Sequence, residues 1–215
     1  MVKRPDYIPA NYPNIKVVGS LTELFNAEFG EANCILFPRP ISGEFNQLAK
    51  LLKKHGTEKL YDEGFVPQFY RAERRLIIDD MKAIRRELQE RGVNTGSALR
   101  VETSEGWIES QSPCAYHVDG CSKPEIGRIL CSYNEPVTEW LRNEDAVNVP
   151  QERIRDLYKA KEGATIQRFR PGDIFRIKSM LGREMTSNGE GCFIHRAPEP
   201  TEETKHLVRM LLVAG

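Results

Sequence analysis

Two histidines and one aspartate carry the strongest chemical signal in this chain. His117 and Asp119 stand two apart in Cys114-Ala-Tyr-His-Val-Asp-Gly120, and His195 stands in Gly191-Cys-Phe-Ile-His-Arg-Ala-Pro198. Successive side chains of a β-strand point to opposite faces, so residues two apart share a face. His117 and Asp119 can therefore grip one ion together, and a distant His195 would complete the set. Two imidazoles and one carboxylate on one side of a metal leave its other side open, which is how a non-haem ferrous ion is held for oxygen chemistry. His117, Asp119 and His195 are thus the candidate metal ligands and the candidate catalytic centre. The bland alternative is two hydrogen-bonded histidines and an aspartate that caps a turn.

A second metal chemistry competes for the same histidines. Cys114-x-x-His117 and Cys192-x-x-His195 form a matched pair of Cys-x-x-His units, and thiolate with imidazole is a familiar tetrahedral zinc set. Strand geometry disfavours it, because residues three apart on a flat strand face opposite ways while Asp119 shares the face of His117.

The elements that must position these residues change character near residue 95. Before it, helix signals dominate. Ser20-Leu-Thr-Glu23 has the form of a capping box, and Phe45, Leu48, Ala49 and Leu52 form an i, i+3, i+4, i+7 stripe that stops at Gly56. Ile77, Met81, Ile84 and Leu88 stripe a helix over about 71–91, with a Glu87 to Arg91 pair and Gly92 beyond its end. Asn33-Cys-Ile-Leu-Phe37 reads as an isolated strand. After residue 95 come short extended runs punctuated by Gly, Pro and Asn: 97–103, 106–110, 114–119, 127–133, 136–141, 164–170, 173–178, 191–196 and 206–213. Such spacing predicts a sandwich or a barrel-like jelly roll. One helical insertion is predicted over Pro150-Gln-Glu-Arg-Ile-Arg-Asp-Leu-Tyr158. The expected organisation is a mainly helical region, 1–95, packed on a β core, 96–215.

Composition sets the outer limits. A chain of 215 residues can bury a sizeable core, and its 31 basic and 31 acidic residues cancel, so no global field recruits nucleic acid or an anionic membrane. No apolar stretch approaches the ~20 residues that span a bilayer, and Met1-Val-Lys-Arg-Pro-Asp lacks the apolar centre of a signal peptide. A cytoplasmic protein is expected. Five scattered cysteines fit free thiols in a reducing compartment better than a disulfide framework.

The C-terminal half resembles the double-stranded β-helix of the Fe(II)/2-oxoglutarate-dependent dioxygenases. The resemblance rests on the order of its elements: His117-Val-Asp119, a strand ending in Tyr133-Asn134, Pro171-Gly-Asp173 in a turn, His195, and a basic residue on the last strand. The runs His-Val-Asp, Arg-Ile-Leu-Cys-Ser-Tyr, Thr138-Glu-Trp-Leu141 and His195-Arg-Ala-Pro are also similar to a bacterial family of unknown function. The first resemblance implies an α+β protein whose jelly-roll barrel is preceded by and braced with N-terminal helices. It further implies Fe(II) on His117, Asp119 and His195, and an arginine that pairs with the distal carboxylate of 2-oxoglutarate. Arg209 is the candidate, with Arg128, Arg196 or Lys205 as alternatives; alternation places Arg209 on one face with Leu207 and Leu211. Tyr133 is either a hydrogen-bond donor to the co-substrate or a half-buried strand aromatic. Trp140 reads as core, and Pro171-Gly172-Asp173 as turn chemistry.

The expected activity is therefore hydroxylation or demethylation of a substrate, a small molecule or a protein, coupled to decarboxylation of 2-oxoglutarate to succinate. The rivals are a zinc-binding protein and a non-catalytic jelly-roll binding module.

Overall fold

The computed structural model describes residues 2–94, 96–105, 113–121, 123–149, 157–181 and 191–215. Among the described residues three α-helices form, the first at the capping-box signal and the other two where apolar periodicity announces them. In α1 (Leu21–Asn26) the Ser20 hydroxyl accepts from the Glu23 N–H at 3.1 Å. The Glu23 carboxylate reaches back one residue further than a capping box requires, accepting from the Gly19 N–H at 2.8 Å. Helix α2 (Phe45–His55) buries Phe45, Leu48, Ala49 and Leu52 and stops at Gly56, whose φ of 98° suits a residue without a side chain. Helix α3 (Arg71–Glu90) buries Ile77, Met81, Ile84 and Leu88, and with them Glu73 and Asp80.

The strands of the described residues are short. In chain order they are β1 (Ile15–Val17), β2 (Cys34–Phe37), β3 (Ala98–Glu102), β4 (Tyr116–His117), β5 (Gly120–Cys121), β6 (Arg128–Ser132) and β7 (Glu139–Trp140). There follow β8 (Ala146–Val149), β9 (Leu157–Ala160), β10 (Gln167–Arg168), β11 (Ile174–Ile177), β12 (Met180–Leu181), β13 (His195–Arg196) and β14 (Arg209–Ala214). They make two six-stranded sheets, ordered β1-β2-β11-β6-β14-β3 and β10-β7-β13-β4-β9-β8, with β5 and β12 as a separate parallel pair. Within the six-stranded sheets all pairings are antiparallel except β1 with β2. The result is an α+β molecule dominated by sheet.

Alternation divides the first sheet between two cores. Cys34 and Leu36, Leu130, Phe175 and Ile177, and Leu211 and Val213 point inward, where they meet Trp140, Phe169 and Phe193 of the second sheet. Ile35, Ile129, Cys131, Ile174, Met210 and Leu212 point the other way, onto the three helices. Both faces of β2, β6, β11 and β14 are therefore buried, which is why these strands read as near-continuous apolar runs. Trp140 belongs to the inter-sheet core, stacked between Tyr12 and Phe169 with centroids 5.7 Å away in each case.

Several local expectations need correction. Asn33–Phe37 is no isolated strand: β2 lies between β1 and β11, inside the first sheet. The strand expected over 106–110 and residues 150–156 of the expected helix lie outside the described residues, and Leu157 and Tyr158 open strand β9 instead. Among the described residues no helix is long and apolar enough to cross a membrane.

Candidate metal centre

His117 is positioned by β4, where its neighbours Tyr116 and Val118 turn to the outer face of the second sheet and pack with Cys192 and Ile194. Alternation then aims both His117 and Asp119 at the inter-sheet space. His195, in β13, is the direct register partner of His117 across an antiparallel pair. The two ring centroids are 4.7 Å apart. Asp119 lies between the rings: its two oxygens are each 3.6 Å from one imidazole, Oδ1 from His117 Nε2 and Oδ2 from His195 Nε2. Its backbone is fixed by a bond from the Met180 N–H to the Asp119 carbonyl at 3.0 Å.

Second contacts set the histidine tautomers. His117 Nδ1 lies 2.8 Å from the Ala115 carbonyl and His195 Nδ1 3.3 Å from the Phe193 carbonyl. A carbonyl can only accept, so each Nδ1 carries a proton, and each Nε2 is the ring atom turned toward Asp119. One ligand atom from each residue lies within 4.8 Å of the other two. An ion with bonds of about 2.1 Å holds adjacent ligands about 3 Å apart, so modest inward shifts of these side chains would close the set around a metal. All three residues are buried or nearly so. Burial acts to raise the Asp119 pKa, but the hydrogen bond to His195 and the nearby His195, His117 and Arg128 hold it well below the usual carboxylate range.

These ligands line one side of a cavity of about 100 Å³, room for several waters or a small dicarboxylate. Its floor is the inner face of the first sheet: Leu130, Leu211 and Val213. Arg209 lies at one end, 4 % exposed, donating from Nη2 to the Thr138 hydroxyl at 2.7 Å, with Nη1 4.0 Å from Glu102. Its Nε is buried without a hydrogen-bond partner. Burial pulls the guanidinium pKa down to about 10. Arg128 lies at the metal end, its Nη1 3.4 Å from Asp119 Oδ2, and its Nε is likewise buried without a partner. Gly127 sets the entry into β6 with φ of 75°; a side chain there would collide with the Ile177 carbonyl.

Other residues singled out in the sequence go elsewhere. Tyr133 is one residue out of phase with Arg128, Leu130 and Ser132, so it points into the helix layer, stacks on Phe45 and donates to Asp80 Oδ2 at 2.8 Å. It does not reach the cavity. Arg196 lines the cavity, but its Nε donates to Glu139 Oε2 at 2.9 Å and its guanidinium lies 4.4 Å from the Tyr116 ring centroid. Lys205 pairs with Glu202 at 2.7 Å outside the cavity lining, and Leu207 is exposed before β14 begins. The zinc set loses its thiolates, because the metal-sized group among the described residues contains neither Cys114 nor Cys192, and the latter packs on the outer face. Pro171-Gly172-Asp173 is a turn: the Gly172 N–H donates to the Ser132 carbonyl at 2.8 Å, and Asp173 accepts from the Arg170 N–H at 2.8 Å.

Sequence reasoning missed Arg100, Glu102 and Thr138, all on the cavity wall. Strand parity held the signal for two of them, since Leu99 and Val101 pack toward the helices and leave Arg100 and Glu102 for the other face.

A family model described as "Protein of unknown function (DUF1826)" matches residues 71–213, about two thirds of the chain. The chain belongs to this family. The matched span includes all three candidate ligands, Arg128 and Arg209, and it leaves out β1 and β2. No curated protein and no solved structure matches the chain.

Proposed function

We propose that this protein is an Fe(II)/2-oxoglutarate-dependent oxygenase, a hydroxylase or demethylase, whose two sheets form a double-stranded β-helix. One observation carries the reading: a facial His-Asp-His set and a buried arginine with an unpaired Nε share one small cavity, separated by an apolar floor. The donor chemistry fits a ferrous ion, since two neutral imidazoles and one carboxylate suit it and leave positions for other ligands. When bound, the ion and 2-oxoglutarate supply oxygen activation coupled to decarboxylation of the co-substrate to succinate and carbon dioxide.

The chain's own residues do the rest. His117 and His195, locked by the Ala115 and Phe193 carbonyls, hold their Nε2 atoms inward, where each lone pair would bind the ion. Asp119 contributes the anionic ligand, kept deprotonated by its surroundings. Arg209, steadied by Thr138, offers N–H groups to the distal carboxylate of 2-oxoglutarate, and a planar guanidinium receives a carboxylate in a fixed orientation. Leu130, Leu211 and Val213 give the space between an apolar floor.

Anaerobic addition of Fe(II) and then 2-oxoglutarate to the purified protein tests this. A visible charge-transfer absorption that saturates with 2-oxoglutarate is expected, followed by slow succinate release when air and ascorbate are admitted. A protein that binds Fe(II) but develops no such band would overturn the reading.

A further inference from the structure

One arginine beside the metal ligands has work that neither fold nor co-substrate explains. Arg209 is assigned to 2-oxoglutarate, and Arg196 is held by Glu139. Arg128 lines the same cavity, yet among the described residues it makes an ion pair with Asp119 and no hydrogen bond. Arg128 has its Nε buried and its side chain 28 % exposed, so it is open toward solvent where Arg209, at 5 %, is closed. Among the described residues its ion-pair partner is Asp119, at 3.4 Å. A carboxylate that gives its charge to a divalent ion holds a guanidinium less strongly, which frees the Arg128 fork for another anion. Arg100, exposed on the edge strand β3, pairs with Leu211 and so belongs to the Arg209 end of the cavity.

Register separates the two anion-binding ends. Leu211 pairs with Ser132, so Arg209 lies two residues beyond that point in one direction and Arg128 four in the other, about 20 Å of strand in all. One end serves the co-substrate, and the other lies beside the candidate ligand Asp119. We propose that the substrate of this site carries an oxyanionic group, a carboxylate or a phosphate, and that Arg128 receives it. The inference rests on the oxygenase reading and names its substrate class: a small oxyanionic molecule. Arg128 is a specificity-determining residue here, and Asp119 keeps its role as ligand.

The test uses the full-length protein loaded with Mn(II), which suits oxygen and nitrogen ligands and speeds the relaxation of nearby nuclei, in saturating 2-oxoglutarate. Inorganic phosphate is followed by its phosphorus relaxation and isotopically labelled acetate by its carbon relaxation. Saturable enhancement of one probe is expected, unaffected by more 2-oxoglutarate, with binding weakened at least about tenfold in Arg128→Gln. Saturation by phosphate alone assigns a phosphorylated substrate, and by acetate alone a carboxylic acid. Arg128→Lys, which keeps the charge and loses the fork, should bind more weakly than the parent, and it carries the comparison if Arg128→Gln does not fold. No saturable enhancement with either probe, displacement of the probe by 2-oxoglutarate, or parental binding in the Arg128 variants overturns the inference. The Fe(II)/2-oxoglutarate absorption band of the same preparations keeps the two readings apart: its absence defeats the oxygenase, while its presence without probe binding defeats only the oxyanion site.

Discussion

His117 and His195 are direct cross-strand partners, placed opposite one another on antiparallel β4 and β13 with their rings 4.7 Å apart. Residues paired in this way share a face by construction, so the sheet itself brings together two imidazoles from distant parts of the chain. Asp119, two residues after His117 and just past the end of β4, joins them because the extended chain keeps the strand's two-residue repeat.

Asp119→Ala should therefore cost the site its metal and leave the fold. Bound metal measured after purification and Fe(II) reloading should fall by at least about 100-fold in affinity, because the only anionic ligand is gone. Circular dichroism should match the parent. A variant that keeps full metal content would remove the carboxylate from the coordination set.

Arg209→Ala should weaken 2-oxoglutarate and spare the metal. Loss of a buried charged hydrogen-bonding partner is worth about 2–4 kcal/mol, roughly 30- to 700-fold in affinity. Titration of the charge-transfer band reads this directly. Parental affinity in a folded Arg209→Ala protein would pass the anchor to another cavity arginine.

Tyr133→Phe should behave in the opposite way. Its hydroxyl serves Asp80, which also receives both Nη atoms of Arg39 at 2.7 Å, so the change removes one bond from a buried cluster behind the sheet. Urea unfolding should show a loss of about 0.5–1.5 kcal/mol. Co-substrate affinity should stay the same, and a fall there would place Tyr133 in contact with the site.

Acid should destabilise the metal-free protein through Asp119. Its carboxyl sits well below the usual range in the folded chain, so the unfolded chain takes up the proton first and acid favours unfolding. The stabilisation is complete above the unfolded value of about 3.9 and drains away as pH falls below it. Thermal melts of metal-free Asp119→Asn should show a shallower fall between about pH 4 and pH 2 than the parent; equal slopes would contradict the assignment.

The legible parts of this molecule were those with a local period. Leu48 and Leu52, or Ile77, Met81 and Ile84, repeat with the helix, and His117 and Asp119 repeat with the strand, so their faces follow from spacing alone. What stayed hidden depends on partners far away in sequence. Nothing in Cys34–Phe37 says that β11 will pair with it, and the same apolar run suits either an isolated strand or one buried on both faces. Tyr133 shows the sensitivity of such readings to register. Counted one residue out of phase with Leu130 and Ser132, it moves from the cavity to the helix layer.

The place of β2 inside the first sheet has a consequence during synthesis. Ile35 pairs with Arg176, 141 residues later, so at a translation rate of about 5–20 residues per second β2 waits roughly 7–28 s for its neighbour to be made. During that interval β1 can supply one edge, but the other edge of Cys-Ile-Leu-Phe is open, as are both its apolar faces. Helix α1 is made before β2, and α2 and α3 follow in the same interval from local contacts; together they can shelter the Ile35 face while Cys34 and Leu36 still await the strands that will cover them. The nascent chain is thus most vulnerable to aggregation at β2, and a chaperone that binds short apolar strands would find its target there.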